Sequence, residues 1–497
     1  MFLIKKIQNR LITISTGIIN RTISKLKPFF LAEIIKNFLS MGLASIINSL
    51  IGLITLGYSA RVLGPENYGL AIYAASITAY AGLVLTPGLV KWGTRAVAQD
   101  QKNAGKILIS INLLQIILAT LAYIALYIYG INYLLGEEFL IVMLYGLNLF
   151  ITAITVDWVC YGLELMRYTA WLSVLSSSLS TIGLLLLIKE PAHLYRLPLL
   201  GFFVPFIIQL ILYLILINKI KIIFSFPSYK DLSNIYKAAI PLSVISIITV
   251  LYRYANNILI KEALGVAFVG IFFAAYRLVE ISTSIVQMAN VIFYSRLSKQ
   301  VINSIALAQR DARLYIRGLI TFGIGVGAFL FSEANGLIQL IYGINYQGAE
   351  GVLKILSLIV VLGCAAVGYS GSLIPFNKDN QMLRVIIAMA ITAIAGGVLI
   401  IPSFGLAGAA WVLVLTEFVG LIFSFAPFKQ AVGSLELLAW AFPITGAIIV
   451  ILVSFILQNL NLNLWFRFPI EAIVYLPFLF FNIRPILNQI TEKRNGN

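Results

Sequence analysis

Apolar residues along this chain come in long unbroken runs, without the spaced stripe of a surface helix or the alternation of a half-buried strand. A helix needs about 20 apolar residues to cross the hydrocarbon core of a bilayer. Runs of that length are predicted at 38–60, 68–90, 107–129, 139–160, 171–188, 198–217, 239–260, 268–292, 314–332, 351–373, 383–401, 406–426, 437–458 and 468–486, fourteen in all. A helix satisfies its own backbone hydrogen bonds in lipid, so the pattern predicts an all-α integral membrane protein. The weaker alternation of a membrane β-barrel does not occur in the sequence.

The polar breaks orient these runs. An even number of crossings puts both termini on one side, and 27 of the 35 Lys and Arg residues fall there, against 6 on the opposite side and 2 inside spans. Basic residues accumulate on cytoplasmic loops, so both termini are expected in the cytoplasm, with the chain in the cell inner (plasma) membrane. A missed span would scramble this alternation. The net charge of +16 therefore reads as topology and lipid contact, not as a nucleic-acid surface.

Composition agrees: 60% of the 497 residues are hydrophobic, 11% are charged and the mean hydropathy is +0.97. Cys160 and Cys364 lie in or at the edge of apolar runs, unpaired in spacing, and read as packing residues with no metal site. The single histidine, His193, sits in a polar break beside Lys189, Glu190 and Arg196 and reads as solvated. No nucleophile elbow, HExxH, phosphate-binding glycine loop or CxxC motif occurs. The chain is expected not to be an enzyme, with no catalytic residues and no cofactor. The longest break, near 218–238, is too short for a folded domain, which weighs against polymerases and ligases carrying a large outer loop.

Residues 1–30 interleave Lys5, Lys6, Arg10, Arg21, Lys25 and Lys27 with Ile4, Ile7, Leu11, Ile18 and Leu26 at helical spacing. That pattern predicts an amphipathic cytoplasmic segment on an anionic membrane surface; a plain basic tail is the alternative. A cleaved signal peptide is not expected, since no apolar core with a small-residue cleavage site follows the charges.

An internal repeat organises the runs. Leu63, Gly64, Gly69 and Ala74 match Leu264, Gly265, Gly270 and Ala275 at a constant offset of 201, each set joining two spans through a short turn on the outer side. Glycine suits such a turn and lets the second helix approach a neighbour closely. Six spans separate the copies with orientation preserved. Two six-helix lobes related by an axis along the membrane normal follow. The expected units are an N-lobe at 31–217, a cytoplasmic linker at 218–238, a C-lobe at 239–426, and a final segment at 427–497 with two extra helices and a cytoplasmic tail.

Charges inside the spans are the candidate site. Arg253 lies about 12 residues before the second turn and Arg277 about 12 after it, so a rise of about 1.5 Å per residue puts both near mid-membrane. Glu280 follows Arg277 on the same helical face and can neutralise either arginine. One reading is an ion pair that locks spans seven and eight. The other is a cationic patch in a wet central cavity, suited to a diphosphate or acidic sugar because guanidinium grips phosphate oxygens in bidentate fashion. The repeat-equivalent positions in the first lobe are Gly52, Ser76 and Ala79, so the patch would be lopsided. Asn48, Asn256 and Asn257 are further candidates for the lining. Asp157, Glu280 and Glu417 are candidates for ion coupling, a helix-end cap or interhelical hydrogen bond being the plainer role for Asp157 and Glu417.

The segment Arg61-Val-Leu-Gly-Pro-Glu-Asn-Tyr-Gly-Leu resembles the first-hairpin signature of the polysaccharide and O-antigen flippases of the multidrug/oligosaccharidyl-lipid/polysaccharide (MOP) exporter superfamily. Asp157-Trp-Val-Cys-Tyr-Gly-Leu-Glu-Leu-Met-Arg-Tyr, Leu264-Gly265 through Tyr276-Arg277-Leu278, and Ile401-Pro-Ser-Phe-Gly-Leu-Ala-Gly-Ala-Ala resemble the same family in the same order, over roughly residues 35–430. The resemblance implies a V-shaped two-lobe transporter. It would flip an undecaprenyl-diphosphate-linked oligosaccharide, an O-antigen or exopolysaccharide repeat unit, to the outer leaflet by alternating access. It further implies H+ or Na+ as coupling ion, and a polysaccharide polymerase and chain-length regulators as partners. Arg253 and Arg277 are the positions matched to the family's basic cavity. A multidrug or lipid exporter of the superfamily is the alternative, but it would favour an acid in the first span of a lobe, and Ser40–Ala60 carries none. A scaffold or channel would not require the repeat.

Overall fold

The computed structural model describes residues 2–85, 88–217, 227–436 and 438–495, with side chains between 41 and 482 apart from positions 241, 288, 291, 292, 295 and 438. The amphipathic pattern expected for 1–30 rests on side chains outside the described set, and residues 218–226 of the expected linker lie outside it too. Among the described residues there are only helices and turns. The first lobe holds α1 (Phe2–Ala81), α2 (Gly88–Gln99), α3 (Ala104–Tyr133), α4 (Gly136–Gly146), α5 (Asn148–Ile154), α6 (Asp157–Gly162), α7 (Met166–Leu187) and α8 (Arg196–Ile217). The second holds α9 (Tyr229–Leu264), α10 (Val266–Asn303), α11 (Ile305–Ser332), α12 (Ala334–Ile341), α13 (Ala349–Gly371) and α14 (Asp379–Val432). The last hairpin is α15 (Leu438–Asn459) and α16 (Leu464–Asn495).

Twelve helical segments among the described residues are long and apolar enough to cross a bilayer. Two of them, of 45 and 54 residues, are far longer than one crossing needs. Each is broken by a glycine with non-helical backbone angles, Gly64 in α1 and Gly405 in α14, so each contains two apolar helices. The outward faces keep large apolar side chains exposed, among them Leu186, Leu214, Leu399 and Phe455, as a lipid-facing surface requires. The chain is a multi-pass membrane protein.

The sequence repeat reappears as backbone geometry. Gly64 (φ 75°, ψ 169°) and its equivalent Gly265 (φ 104°, ψ 168°) make the same sharp turn between two antiparallel helices. That positive φ is open to glycine at no steric cost. Pro65 then starts the second helix of the first hairpin, where a missing N–H leaves no bond unmade. The largest buried cluster crosses from lobe to lobe at this end, bringing Tyr68, Tyr73 and Ala74 together with Phe272, Ala275 and Tyr346.

Two elements differ from the sequence expectation. The basic stretch after the second span contains a helix, α2, whose buried glycine packs on α9: Gly88 N–H donates to Ser243 Oγ at 2.9 Å. The fourth span is not one helix but three short ones, α4 to α6, interrupted at Leu147 and again at Thr155–Val156. The second interruption is stabilised from α8, where Gln209 Oε1 accepts the free Val156 N–H at 3.2 Å.

Candidate functional site

α9 runs down to Gly265 and α10 runs back beside it, so residues equally far from the turn share a depth. Arg253 and Arg277 do, and Glu280 sits between them. Its Oε1 lies 2.8 Å from Arg253 Nη2, and its Oε2 pairs with Arg277 Nη1 one helical turn away. One carboxylate thus faces two guanidinium groups, leaving one positive charge in excess. Arg253 remains half exposed at 48%, while Arg277 and Glu280 are more enclosed. The buried Arg277 Nε has no hydrogen-bond partner. The cluster is an ion pair that joins α9 to α10, and Arg277 keeps one donor without a partner.

Gly52, the repeat equivalent of Arg253, faces the cluster from the other lobe. A Cβ at Gly52 would stand 3.7 Å from Arg277 Nη2, so α1 lets the guanidinium reach the interface between lobes. One turn away, Ser49 Oγ and Ser284 Oγ meet across the same interface at 3.5 Å.

Beside the arginines is a cavity of about 220 Å³, walled by Thr249, Tyr252, Tyr276, Thr283, Gln287 and Glu417 among others. Arg253 and Glu280 line it too, and Cys364 contributes to the wall from α13. Glu417 comes from the second half of α14, so the structure brings this candidate coupling residue into one space with Arg253.

The remaining candidates are placed elsewhere. Asn48 is engaged within its own lobe, donating to Ser173 Oγ at 3.0 Å and accepting from Ser177 Oγ at 2.5 Å. Asn256 is buried against α14, donating to the Ala409 carbonyl at 3.1 Å. Asn257 donates across the lobe interface to Ser76 Oγ at 2.9 Å. Asp157 begins the short helix α6, a position where the helix dipole favours an acid, away from the arginines. His193 pairs with Glu190 at 3.0 Å in the expected polar break. Both cysteines are free and buried. Tyr252, Tyr276, Thr249, Thr283 and Gln287 are cavity residues that sequence reasoning missed. Their one signal is position, since Tyr252 adjoins Arg253 and each of the others lies one or two turns from Arg253 or Glu280.

The lobes are also tied together on either side of the cluster. At the end carrying Gly64 and Gly265, Arg61 Nε donates to the Ile341 carbonyl at 2.8 Å and its Nη2 reaches the carbonyls of Gln339 and Leu340. Tyr346 Oη donates to the Ala60 carbonyl at 2.9 Å, and Lys261 pairs with Glu138 at 3.4 Å. Towards the other end, Tyr80 Oη donates to the Leu251 carbonyl at 2.6 Å and Lys91 Nζ to Ser246 Oγ at 3.2 Å. Most of these partners are backbone carbonyls or single hydroxyls, contacts that can be exchanged for water without unfolding either lobe.

Comparison with known proteins gives this geometry a context. Residues 34–299 match the family described as polysaccharide biosynthesis protein. A protein described as a candidate O-antigen transporter from Shigella dysenteriae is 25% identical over 401 residues, covering 78% of this chain and 98% of that protein. The capsular polysaccharide biosynthesis protein CapF of Staphylococcus aureus is 22% identical over 406 residues, covering 80% and 99%. Among solved structures, the lipid II flippase MurJ in an inward closed conformation superposes with a TM-score of 0.73 at 13% identity, over 90% of this chain and 99% of that one. An inward-facing multidrug resistance transporter of the MATE family in the MOP superfamily superposes with a TM-score of 0.58 at 18% identity, over 80% and 95%. At those identities the structural likeness establishes a shared fold.

Proposed function

The chain belongs to the polysaccharide biosynthesis protein family, with the fold of the MOP superfamily, and from that premise we propose that it flips an undecaprenyl-diphosphate-linked oligosaccharide between leaflets. The observation that carries this reading is the pair Arg253 and Arg277 sharing the single carboxylate of Glu280 at the lobe interface. A diphosphate linking lipid to sugar is a dianion that must cross the apolar core. Two guanidinium groups offer it bidentate donors, and Glu280 keeps them neutralised enough to remain in the bilayer when no substrate is present. Catalysis of a covalent step is not part of this reading, in keeping with relatives named as transporters and flippases.

The topology that serves it has fourteen crossings, with the N-lobe at 31–217, the C-lobe at 239–426 and both termini in the cytoplasm. Substrate enters at the arginines from the cytoplasmic leaflet. The ties at the Gly64 and Gly265 end release and those at the opposite end hold, which is alternating access by rocking of the lobes. Glu417, sharing the cavity with Arg253, is the residue we assign to H+ exchange during the return.

The test is transport by the purified chain in liposomes containing a diphosphate-linked, fluorescently tagged glycolipid. The expected result is flipping that Arg277→Ala and Arg253→Ala each reduce by at least about tenfold, the effect of losing about 1.4 kcal/mol of substrate interaction. Undiminished flipping in both folded variants would remove the arginines from the mechanism. No flipping of any glycolipid by the wild type would overturn the function.

A further inference from the structure

A second group of buried charges lies far from the arginine cluster, where α15 and α16 dock on α11. Glu333 follows the last residue of α11 and is 1% exposed; Glu471, in the second turn of α16, is 2% exposed. Glu333 is well served. Its Oε1 accepts from Ser454 Oγ at 2.9 Å and from Gln458 Nε2 at 3.3 Å, and its Oε2 lies 2.9 Å from Arg467 Nη2. Glu471 stands beside Glu333, Ser454 and Arg467, yet neither of its carboxylate oxygens has a hydrogen-bond partner. It also forms part of the wall of an otherwise apolar cavity of about 250 Å³ between these helices, against Phe329, Phe468 and Tyr475.

A carboxylate with both oxygens buried and without a protein partner is among the most costly groups a protein can hold. Two adjacent carboxylates facing one arginine leave a negative charge with nothing to balance it. A bound proton removes both problems: it neutralises the excess charge, and the resulting O–H of Glu471 can donate to Glu333 Oε2, whose ion pair with Arg467 leaves that oxygen without an aligned hydrogen bond. A metal cation fits less well. Ser454, Gln458 and Arg467 turn donors toward the pair, whereas sodium-sized ions require several oxygen ligands, and the guanidinium would repel one. Among the described residues the titratable or charged groups around Glu471 are Glu333 at the end of α11 and Arg467 on α16, with Tyr475 sharing the cavity wall and none from α12 or α15.

We propose that Glu333 and Glu471 form a carboxyl pair that binds one proton, held by Arg467, and that this proton docks the last helical hairpin on the second lobe. The proton comes from water and resides on a Glu471 oxygen; no bond other than O–H is made or broken. Deprotonation puts an unpaired charge between α11 and α16, so the docked hairpin loosens as pH rises. The contribution of this site to stability is therefore fully present at low pH and is lost as pH rises through the titration of the pair. The inference does not depend on which substrate is transported.

Infrared difference spectra of the full chain in lipid nanodiscs read the site directly. The expected result is a protonated-carboxyl C=O band at neutral pH, downshifted in D2O, that titrates away at high pH together with a fall in the thermal unfolding midpoint. Glu471→Gln keeps the shape and should lose both the band and the pH slope. Glu333→Gln should lose the band as well, because Glu471 then becomes the sole partner of Arg467 and takes the negative charge. Persistence of the band in Glu333→Gln would reduce Glu471 to a merely desolvated acid and overturn the pair. So would absence of a titrating band in the wild type, or an unfolding midpoint that rises when choline is replaced by Na+, which would mark a cation site. Recording the spectra in a Glu417→Gln background keeps that carboxyl out of the band, so absence of a titrating band there overturns the pair even if a further variant fails to fold.

Discussion

Gly69 and Gly270 face each other at the junction of the two lobes, each fitted against the other's helix backbone. A Cβ on Gly69 would lie 2.0 Å from the Val266 carbonyl oxygen, and one on Gly270 would lie 2.2 Å from that of Pro65. These are equivalent positions of the internal repeat, so the repeat axis passes where α1 and α10 touch. The contact is also just beyond the Gly64 and Gly265 turns, which makes it the natural pivot or seal of that end of the bundle.

Replacing either glycine by alanine forces the helices apart against backbone, which cannot rotate away as a side chain would. Gly69→Ala and Gly270→Ala are expected to cost about 1–3 kcal/mol each, as overpacking does. The double variant should cost less than the sum, since one separation relieves both clashes. Spin labels at exposed Glu66→Cys and Ile344→Cys, one on each lobe, should report longer distances in either variant. An unchanged distance distribution would mean that this junction does not control closure.

Arg61 acts at the same end by a different route. Its guanidinium caps the last carbonyls of α12, where the negative end of the helix dipole adds to the attraction. The side chain is solvent-exposed, so Arg61→Ala should cost about 1 kcal/mol and raise the population of the form open at this end about fivefold. Arg61→Lys retains the charge without the fork of donors and should fall between. The same label pair measures both.

A feature of this fold is legible in the sequence as far as its signal can be read along one helix. Gly64 and Gly265 were legible because a repeat needs no knowledge of packing, and their shared backbone conformation follows from it. Arg253, Arg277 and Glu280 were legible because depth is counted in residues from a turn, and three charges in apolar runs stand out. Asn48 gave no such handle: its partners Ser173 and Ser177 lie 125 and 129 residues away on α7, a pairing set by helix rotation within the lobe. Arg467 and Glu333 were hidden for the opposite reason. Charges at the ends of spans look like loop residues, and only the docking of α15 and α16 buries them. The interruptions of α4 to α6 depend on Gln209 supplying a partner from another helix, which no local pattern announces.

Glu280 is the residue on which the arginine cluster turns, and neutralising it separates its two roles. If Glu280 is a counter-ion displaced by substrate, Glu280→Gln leaves two guanidinium groups free. Binding of a diphosphate-linked lipid to the purified protein should then tighten while flipping slows, because release becomes the slow step. If Glu280 only joins α9 to α10, the variant should lose thermal stability and bind no better. Affinity and unfolding midpoint measured on the same preparation decide between these outcomes.

Orientation in the membrane offers a last prediction, independent of the site. Lys230 begins α9 and Arg310 lies near the start of α11, both exposed and both at the end of the bundle opposite Gly64 and Gly265. With 27 basic residues on their side against 6 on the other, insertion with that side outward would place most of the chain's positive charge across the membrane, against the usual bias. Cysteines at Lys230→Cys and Arg310→Cys should therefore react with an impermeant maleimide only after the cells are opened, whereas Ile344→Cys should react in intact cells stripped of any outer layer. The native Cys160 and Cys364 are buried and should contribute little background. Labelling of position 230 or 310 from outside would reverse the proposed direction of transport along with the topology.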